Sequence, residues 1–424
     1  MTEMVYGSMP SRVVDPVLPR WWRTIDRWSM TAVFALFAIG LLLGLAASVP
    51  LAQRNGLDPF YYVQRQAVFG GAALAGLAVV AVAPPALGGR PGVLLFVGGF
   101  AALARLPVLG TDFGKGAVRW FSLGFASVQP SEFLKPGFVV LTAWLVAAAQ
   151  EPMGPPGRSI SFALAVAVVG LLAIQPDFGQ AALVLFTWGV VYFVGGAPML
   201  LILLVAGLVG AGGVAAYSMS EHFARRINGF LAPDVDPRTQ LGYATNAIQE
   251  GGFFGVGVGE GQVKWSLPDA HTDFIIAVAA EEYGLVLVAV IILLYATIVV
   301  RSLGRLLRER DPFIRLAGTG LACAFGVQAL INMGVAVRLL PAKGMTLPFV
   351  SYGGSSVIAA GLAAGFLLSL TRARPQAEVG GLFAGGAAGG NRARRLSGSR
   401  RGARGGTCSP PRRWPRRWCG AAGG

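Results

Sequence analysis

Residues Ser29 to Leu51 read S-M-T-A-V-F-A-L-F-A-I-G-L-L-L-G-L-A-A-S-V-P-L, 23 positions without a charged side chain. A helix needs about 20 apolar residues to cross the hydrocarbon core of a bilayer, so this run is long enough to span. It is too long for the apolar stretch of a cleaved leader and lacks a small-residue cleavage site, so it is expected to stay as a span. Nine further runs follow: Ala67 to Pro84, Gly92 to Gly110, Phe133 to Ala149, Ile160 to Ile174, Gly179 to Val194, Pro198 to Ala216, Asp273 to Val300, Leu316 to Val335 and Val350 to Leu370. Loops rich in Pro, Gly and charge separate them. Composition agrees, with 54% of the 424 residues hydrophobic and 13% charged, where a soluble domain carries about 25% charged residues. The expected fold is all-α: a polytopic integral membrane protein with ten transmembrane helices. Residues 1–28 form a terminal segment, 29–371 the membrane domain with a large loop at 218–272, and 372–424 an Arg/Gly-rich tail.

Ten spans put both termini on one side. That side collects 23 Lys and Arg against 11 on the other, which makes it cytoplasmic by the positive-inside rule. Ten of those arginines lie between Asn391 and Gly424, so the more local signal is Arg301, Arg305, Arg308, Arg310 and Arg315, close to two span ends. The net charge of +15 is therefore an orientation signal and not the footprint of a nucleic-acid partner. The tail is expected to be disordered, and reads either as a binder of anionic lipids of the inner leaflet or as an extension of no consequence. Cys323 lies in an apolar run and Cys408 and Cys419 in the tail, which excludes a disulfide framework and zinc-ligand spacing.

Chemistry belongs on the opposite face, whose loops hold 11 of the 20 acids, 11 basic residues and both histidines. In L-P-D-A-H-T-D-F, Asp273 opens an apolar run; it reads either as a proton acceptor or as a helix N-cap beside Thr272, and spacing alone favours the cap. Glu281 and Glu282 follow two turns later, where a carboxylate needs a partner or a water-filled cavity, and a buried ion pair is as good a reading as a catalytic one. Arg119, Lys135 and Lys343 suit an anionic lipid head group, while snorkelling is the bland alternative for Lys135. The series G-G-F-F-G-V-G-V-G-E-G from Gly251 to Gly261 has no βαβ context and reads as a flexible loop. His222 and His271 lack metal-ligand spacing, and neither a Gly-x-Ser-x-Gly elbow nor a Walker A motif occurs. A serine hydrolase, a metalloprotease and a membrane ATPase are thereby unsupported.

Taken together, K-G-A-V-R-W-F-S-L-G from Lys115, Q-P-S-E-F-L-K from Gln129, Q-P-D-F-G from Gln175, A-H-T-D-F-I-I-A-V with E-E-Y-G, N-M-G-V from Asn332, and L-P-A-K-G-M-T-L-P-F-V-S-Y-G-G-S-S from Leu340 resemble the SEDS family of cell-wall polymerases, which includes FtsW, RodA and SpoVE. The likeness runs from about Arg23 to Arg372 and is greatest to the division branch, in an alphaproteobacterial form. It departs at A-T-N-A-I-Q from Ala244, where glutamines are frequent, and at Lys264, one position from a frequent lysine. The Arg-rich tail lies outside it.

The resemblance implies a peptidoglycan glycosyltransferase that polymerises lipid II at the outer face of the cytoplasmic (inner) membrane, at the division septum. It implies partnership with a class B penicillin-binding protein and other divisome membrane proteins. Asp273 matches the family's proposed catalytic aspartate. Arg119, Lys135, Glu132, Arg226, Lys343 and Ser351 are then candidates for holding substrate, and Glu281, Glu282, Thr272 and His271 for supporting the site. A base for the acceptor hydroxyl and positive charge on the departing diphosphate are the chemical needs. A divalent cation (Mg or Mn) would suit the second, although the sequence marks no metal site. The loop 218–272, with Arg225, Arg226 and the turn at Asp234, Asp236 and Pro237, is expected to cover the site. The rival readings are an elongation-type polymerase, a scaffold for the transpeptidase, and a lipid II flippase with Arg105, Glu281 and Glu282 lining a polar path.

Overall fold

The computed structural model describes residues 17–84, 89–111, 118–124, 126–219, 221–231, 239–267, 269–341 and 344–373. The helices are α1 (Val17–Thr24), α2 (Arg27–Arg54), α3 (Tyr61–Val82), α4 (Gly89–Leu109), α5 (Pro130–Ala148), α6 (Gly157–Ile174), α7 (Phe178–Val194), α8 (Met199–Met219), α9 (Glu221–Leu231), α10 (Gln240–Gly251), α11 (Val263–Ser266), α12 (Ile275–Leu306), α13 (Pro312–Ala336) and α14 (Gly354–Leu370). One hairpin, β1 (Phe121–Ser122) with β2 (Ser127–Val128), precedes α5. Each of the ten apolar runs coincides with a helix. Eight are long and apolar enough to cross a membrane, which makes the protein all-α and polytopic; α7 and α14 are apolar but have 17 residues each, at the lower limit for a span.

Local chemistry sets several helix starts. Pro130 and Pro312 occupy first-turn positions of α5 and α13, where a missing N–H costs nothing, and Asp311 accepts from the Ile314 N–H at 3.2 Å as a side-chain cap. Helix α5 is the axis of the bundle: Leu134, Phe138, Val140, Ala143 and Val146 are sealed, and α4, α6, α7, α13 and α14 pack around it. Small residues permit this closeness, as association between spans relies on backbone approach and dispersion. At the α3–α14 crossing a Cβ on Gly361 would lie 2.4 Å from the Ala73 carbonyl oxygen.

One end of the bundle is bound by charge. Asp26, just before α2, takes Arg301 and Arg305 of α12 at 3.0 and 3.1 Å. Burial alone would raise this acid, but hydrogen bonds from Arg301 and Ser29 and the two arginine charges hold its carboxyl below the usual carboxylate range. Arg372 donates to Thr24, and Ala373 N–H to the Thr24 carbonyl at 2.9 Å, so the two ends of the described chain meet at this pole. An even number of crossings would bring them to the same side in this way.

Two expectations need correction at the other pole. The 32-residue α12 is broken at Gly284, whose φ of 74° and ψ of −176° interrupt the helix. Glu281 and Glu282 therefore lie on a short preceding rod and not inside the long apolar segment that follows. The 218–272 segment is also no simple loop, because it contains α9, α10 and α11. Its glycine series is fastened to the break: Val256 N–H donates to Glu281 O at 2.8 Å, Gly257 N–H to Glu282 O at 3.2 Å and Leu285 N–H to Gly252 O at 3.0 Å. The glycines supply positive φ and close approach, uses that composition cannot distinguish from flexibility.

Candidate functional site

A cleft of about 310 Å³ opens at this second pole, and Asp273 lines it. Its position is built from a tight turn. Asp269 adopts φ of 54°, which an aspartate tolerates better than most residues, and its carbonyl accepts the N–H groups of Thr272 and Asp273, both at 3.1 Å, together with the Thr272 hydroxyl. The N-cap of α12 is Phe274, whose side chain makes no capping bond, so the cap role weighed for Asp273 and Thr272 is not the one adopted. The turn is held from outside by three bonds to consecutive carbonyls. Tyr352 N–H donates to His271 O at 2.9 Å, the Ser351 hydroxyl to Thr272 O at 2.5 Å, and Asn332 Nδ2 to Asp273 O at 3.1 Å. Ser351, fully buried, also accepts from Leu347 N–H at 2.9 Å, so it braces the turn instead of presenting its hydroxyl to a ligand.

Sharing the cleft with Asp273 are Arg65 and Phe69 of α3, Trp120, Glu132 and Tyr352. Arg65 lies over the rings of Tyr61 and Phe69, 5.4 and 5.8 Å from their centroids, and donates to the Tyr61 hydroxyl at 2.7 Å. Tyr352 is in ring contact with His271 and Tyr62, forming an aromatic wall. Burial pushes the Tyr352 hydroxyl up, against the opposing pull of Arg65, so at neutral pH it is a donor.

From Glu132 a buried polar chain runs into the bundle. Lys135 Nζ pairs with Glu132 Oε2 at 2.8 Å and donates to Gln328 Oε1 at 2.9 Å, while Gln180 Nε2 donates to Glu132 Oε1 at 2.6 Å. Lys135 is turned inward and does not snorkel. Gln328 passes the chain on to Thr346 O at 3.0 Å. Arg119 is half-buried and donates to the carbonyls of Gln175 and Pro176 at 3.2 and 2.5 Å. Burial raises the neighbouring Asp177 above the usual carboxylate range despite the charges of Arg119 and Lys135.

The structure thus brings Asp273, Thr272, His271 and Glu132 to one cleft, with Ser351 bracing the turn and Lys135 paired to Glu132. Arg119 holds the 175–177 turn. Glu281 and Glu282 instead meet Lys264, whose ammonium pairs with Glu282 Oε1 and whose N–H donates to Glu281 Oε2 at 3.3 Å. Glu282 realises the ion-pair reading, while Glu281 accepts a backbone N–H. Arg105 is exposed on α4, which packs on α5, so the polar path drawn through Arg105, Glu281 and Glu282 does not form. Lys343, the Asp234, Asp236 and Pro237 turn, the Arg226 side chain and the tail from Arg374 onward lie outside the described residues. The placement of Arg65, Asn332 and Gln328 was not legible in the sequence. Asn332 opens a quoted motif, but no local pattern shows that its amide reaches the Asp273 carbonyl. Among the described residues no group of three or more His, Cys, Asp or Glu could hold a metal ion.

Comparison with known proteins gives this geometry its context. A curated relative from Caulobacter vibrioides, "Probable peptidoglycan glycosyltransferase FtsW", is 41% identical over 368 residues, covering 87% of this chain and 94% of its own. One of the same name from Halorhodospira halophila is 34% identical, covering 85% and 94%. Among solved structures, a chain from "Structural coordination of polymerization and crosslinking by a peptidoglycan synthase complex" superposes with a TM-score of 0.68 at 29% identity, covering 82% of this chain and 97% of its own. The Thermus thermophilus rod shape determining protein RodA superposes at 0.60 with 28% identity and the same coverage. The family model described as cell cycle protein, FtsW/RodA/SpoVE, matches residues 27–376. The chain spans nearly the whole of these relatives with its motifs in order, and it belongs to the FtsW/RodA/SpoVE family, the SEDS proteins.

Proposed function

We propose that this chain is a peptidoglycan glycosyltransferase of the division branch, polymerising lipid II at the outer face of the cytoplasmic membrane at the septum. The observation that carries the reading is the cleft itself, where a carboxylate on a braced turn shares one cavity with a cation and an aromatic wall. Lipid-linked glycan transfer needs the first two of these, a base and a positive charge. The GlcNAc 4-hydroxyl of the acceptor attacks the anomeric carbon of the donor MurNAc. A C–O bond forms there as the bond to phosphate breaks, and undecaprenyl diphosphate leaves with the electron pair. Asp273 accepts the hydroxyl proton. Arg65 meets the charge that develops on the diphosphate, since a guanidinium can engage two phosphate oxygens at once. The aromatic faces of Tyr352 and Trp120 suit the apolar faces of the sugars. Division as the task is supported by the names of the relatives and by 41% identity to one of them.

A class B penicillin-binding protein cross-linking the new strands is the partner this reading calls for, along with other divisome membrane proteins. The superposition on a chain from a complex that coordinates polymerisation and cross-linking supports it. The test is lipid II polymerisation by the purified chain with its transpeptidase. A positioned base contributes roughly 10² to 10⁴ in rate, so Asp273→Asn is expected to lose that factor while inserting in the membrane at the normal level. Polymer formation by Asp273→Asn near the parental rate would sink the assignment. Transbilayer movement of labelled lipid II without polymer would instead favour the flippase.

A further inference from the structure

We propose that the buried Lys264–Glu282 ion pair is a clamp that positions Asp273, acting through the short helical rod between them. The proposal rests on the reading of Asp273 as the base. The rod runs from Ile275 to the break at Gly284, is buried along Ile275 to Glu282, and carries Asp273 just ahead of its first turn. Ile275 to Glu282 spans about 10 Å at 1.5 Å per residue. Because the helix is interrupted, the long segment after Gly284 does not continue the hydrogen-bond ladder that would hold the rod. Its free end must be held by something else.

What holds it is the glycine segment and Lys264. Val256 and Gly257 donate to the carbonyls of Glu281 and Glu282, which are orphan acceptors of a helix C-terminus. Gly255 allows the approach, since at φ of 81° a Cβ there would lie 2.2 Å from the Glu282 carbonyl oxygen. Lys264 then locks the side-chain level: its Nζ pairs with Glu282 Oε1 and donates to Gly259 O at 3.0 Å, and its N–H reaches Glu281. The paired side chains are 5% and 0% exposed. Glu282 Oε2 has no hydrogen-bond partner among the described residues, so without Lys264 the carboxylate has to gain a proton or shift toward water. Either event moves the far end of the rod. Its near end is gripped by Asn332, Ser351 and Tyr352, and motion at one anchor turns the Asp273 carboxyl relative to the other.

The experiment uses the full chain in complex with its transpeptidase. For each variant it measures kcat and KM for lipid II, the pH profile of kcat, and folded fraction by thermal melting in detergent. Lys264→Met and Glu282→Gln should each lower kcat per folded molecule roughly 10- to 100-fold with KM little changed, as expected for a misplacement near 1 Å. The acidic midpoint of the kcat profile should move with them. Lys264→Arg, which keeps the charge, should recover most of the rate and the parental midpoint. Activity falling only with folded fraction, at an unmoved midpoint, overturns the clamp, as does a parental rate in Lys264→Met. Asp273→Asn runs alongside: its inactivity beside a fully active Lys264→Met defeats the clamp alone, whereas an active Asp273→Asn defeats the reading beneath it.

Discussion

Asn332 offers the sharpest test of how the turn before α12 is held. Its amide spends both Nδ2 hydrogens on carbonyls, Asp273 O at 3.1 Å and Met345 O at 2.6 Å, joining the turn to the segment ahead of α14. The residue is 2% exposed and its Oδ1 has no partner among the described residues. Asn332→Leu strands two carbonyls and relieves one stranded oxygen. At about 1 to 3 kcal/mol per unsatisfied group, the balance is a net loss of about 1 to 3 kcal/mol. Asn332→Asp at neutral pH has no donor and adds an acid among carbonyl oxygens, so it should cost more than Leu despite its closer shape. Polymerisation should fall further than stability in both, because one of the two lost bonds holds the backbone of Asp273, the proposed base. Melting of the purified protein in detergent, read beside the polymerisation rate with the transpeptidase, gives both numbers. Stability and rate unchanged from the parent in both Asn332→Leu and Asn332→Asp would refute the bracing of Asp273 by this amide.

Lys135→Met leaves Glu132 buried with its pair broken, and the loss of a buried partner predicts about 3 to 5 kcal/mol of destabilisation, measured by thermal melting. Gly284→Val should abolish the break, because φ of 74° suits a β-branched residue badly and a Cβ there meets Phe253 O at 2.2 Å; loss of the folded, monodisperse protein in detergent is the readout. Asp26 has its folded pKa below the ordinary 3.8, so its contribution is present above that value and is lost as pH falls through the folded one. The parent should therefore lose stability below about pH 4 more steeply than Asp26→Asn, which lacks that titration.

The bundle was legible because spans obey a composition rule. Every apolar run coincided with a helix, and the meeting of Thr24 with Arg372 and Ala373 agrees with an even number of crossings. What escaped was conformation at glycines. Gly251 to Gly261 and Gly284 looked respectively like a loose loop and an unbroken helix. Positive φ values at Gly252, Gly255, Gly257, Gly259 and Gly284 instead make one interlocked break. Periodicity reports which residues face apolar surroundings; it carries no information about a single residue in the left-handed region.

The site shows a related limit, one of direction. The sequence singles out Asp273 as a carboxylate on a loop beside family motifs, and in the structure it lines the cleft. Cations are harder, since a guanidinium satisfies its donors equally well on phosphate or on backbone carbonyls. Arg119 uses the carbonyls of Gln175 and Pro176, while Arg65, which no motif highlighted, lines the cleft from α3. The same ambiguity applies to Lys135, whose partners are Glu132 on its own helix and Gln328, 193 residues away in sequence. The charge balance of the outer loops is thus composed of groups with different duties. Lys135–Glu132 and Lys264–Glu282 are buried ion pairs, the first at the edge of the cleft, and Arg65 and Asp273 line the cleft from two separate elements, α3 and the turn before α12. In the proposed transfer the base at Asp273 and the cation at Arg65 would act from separate supports, one at the point where a proton is accepted and the other where the anion is released.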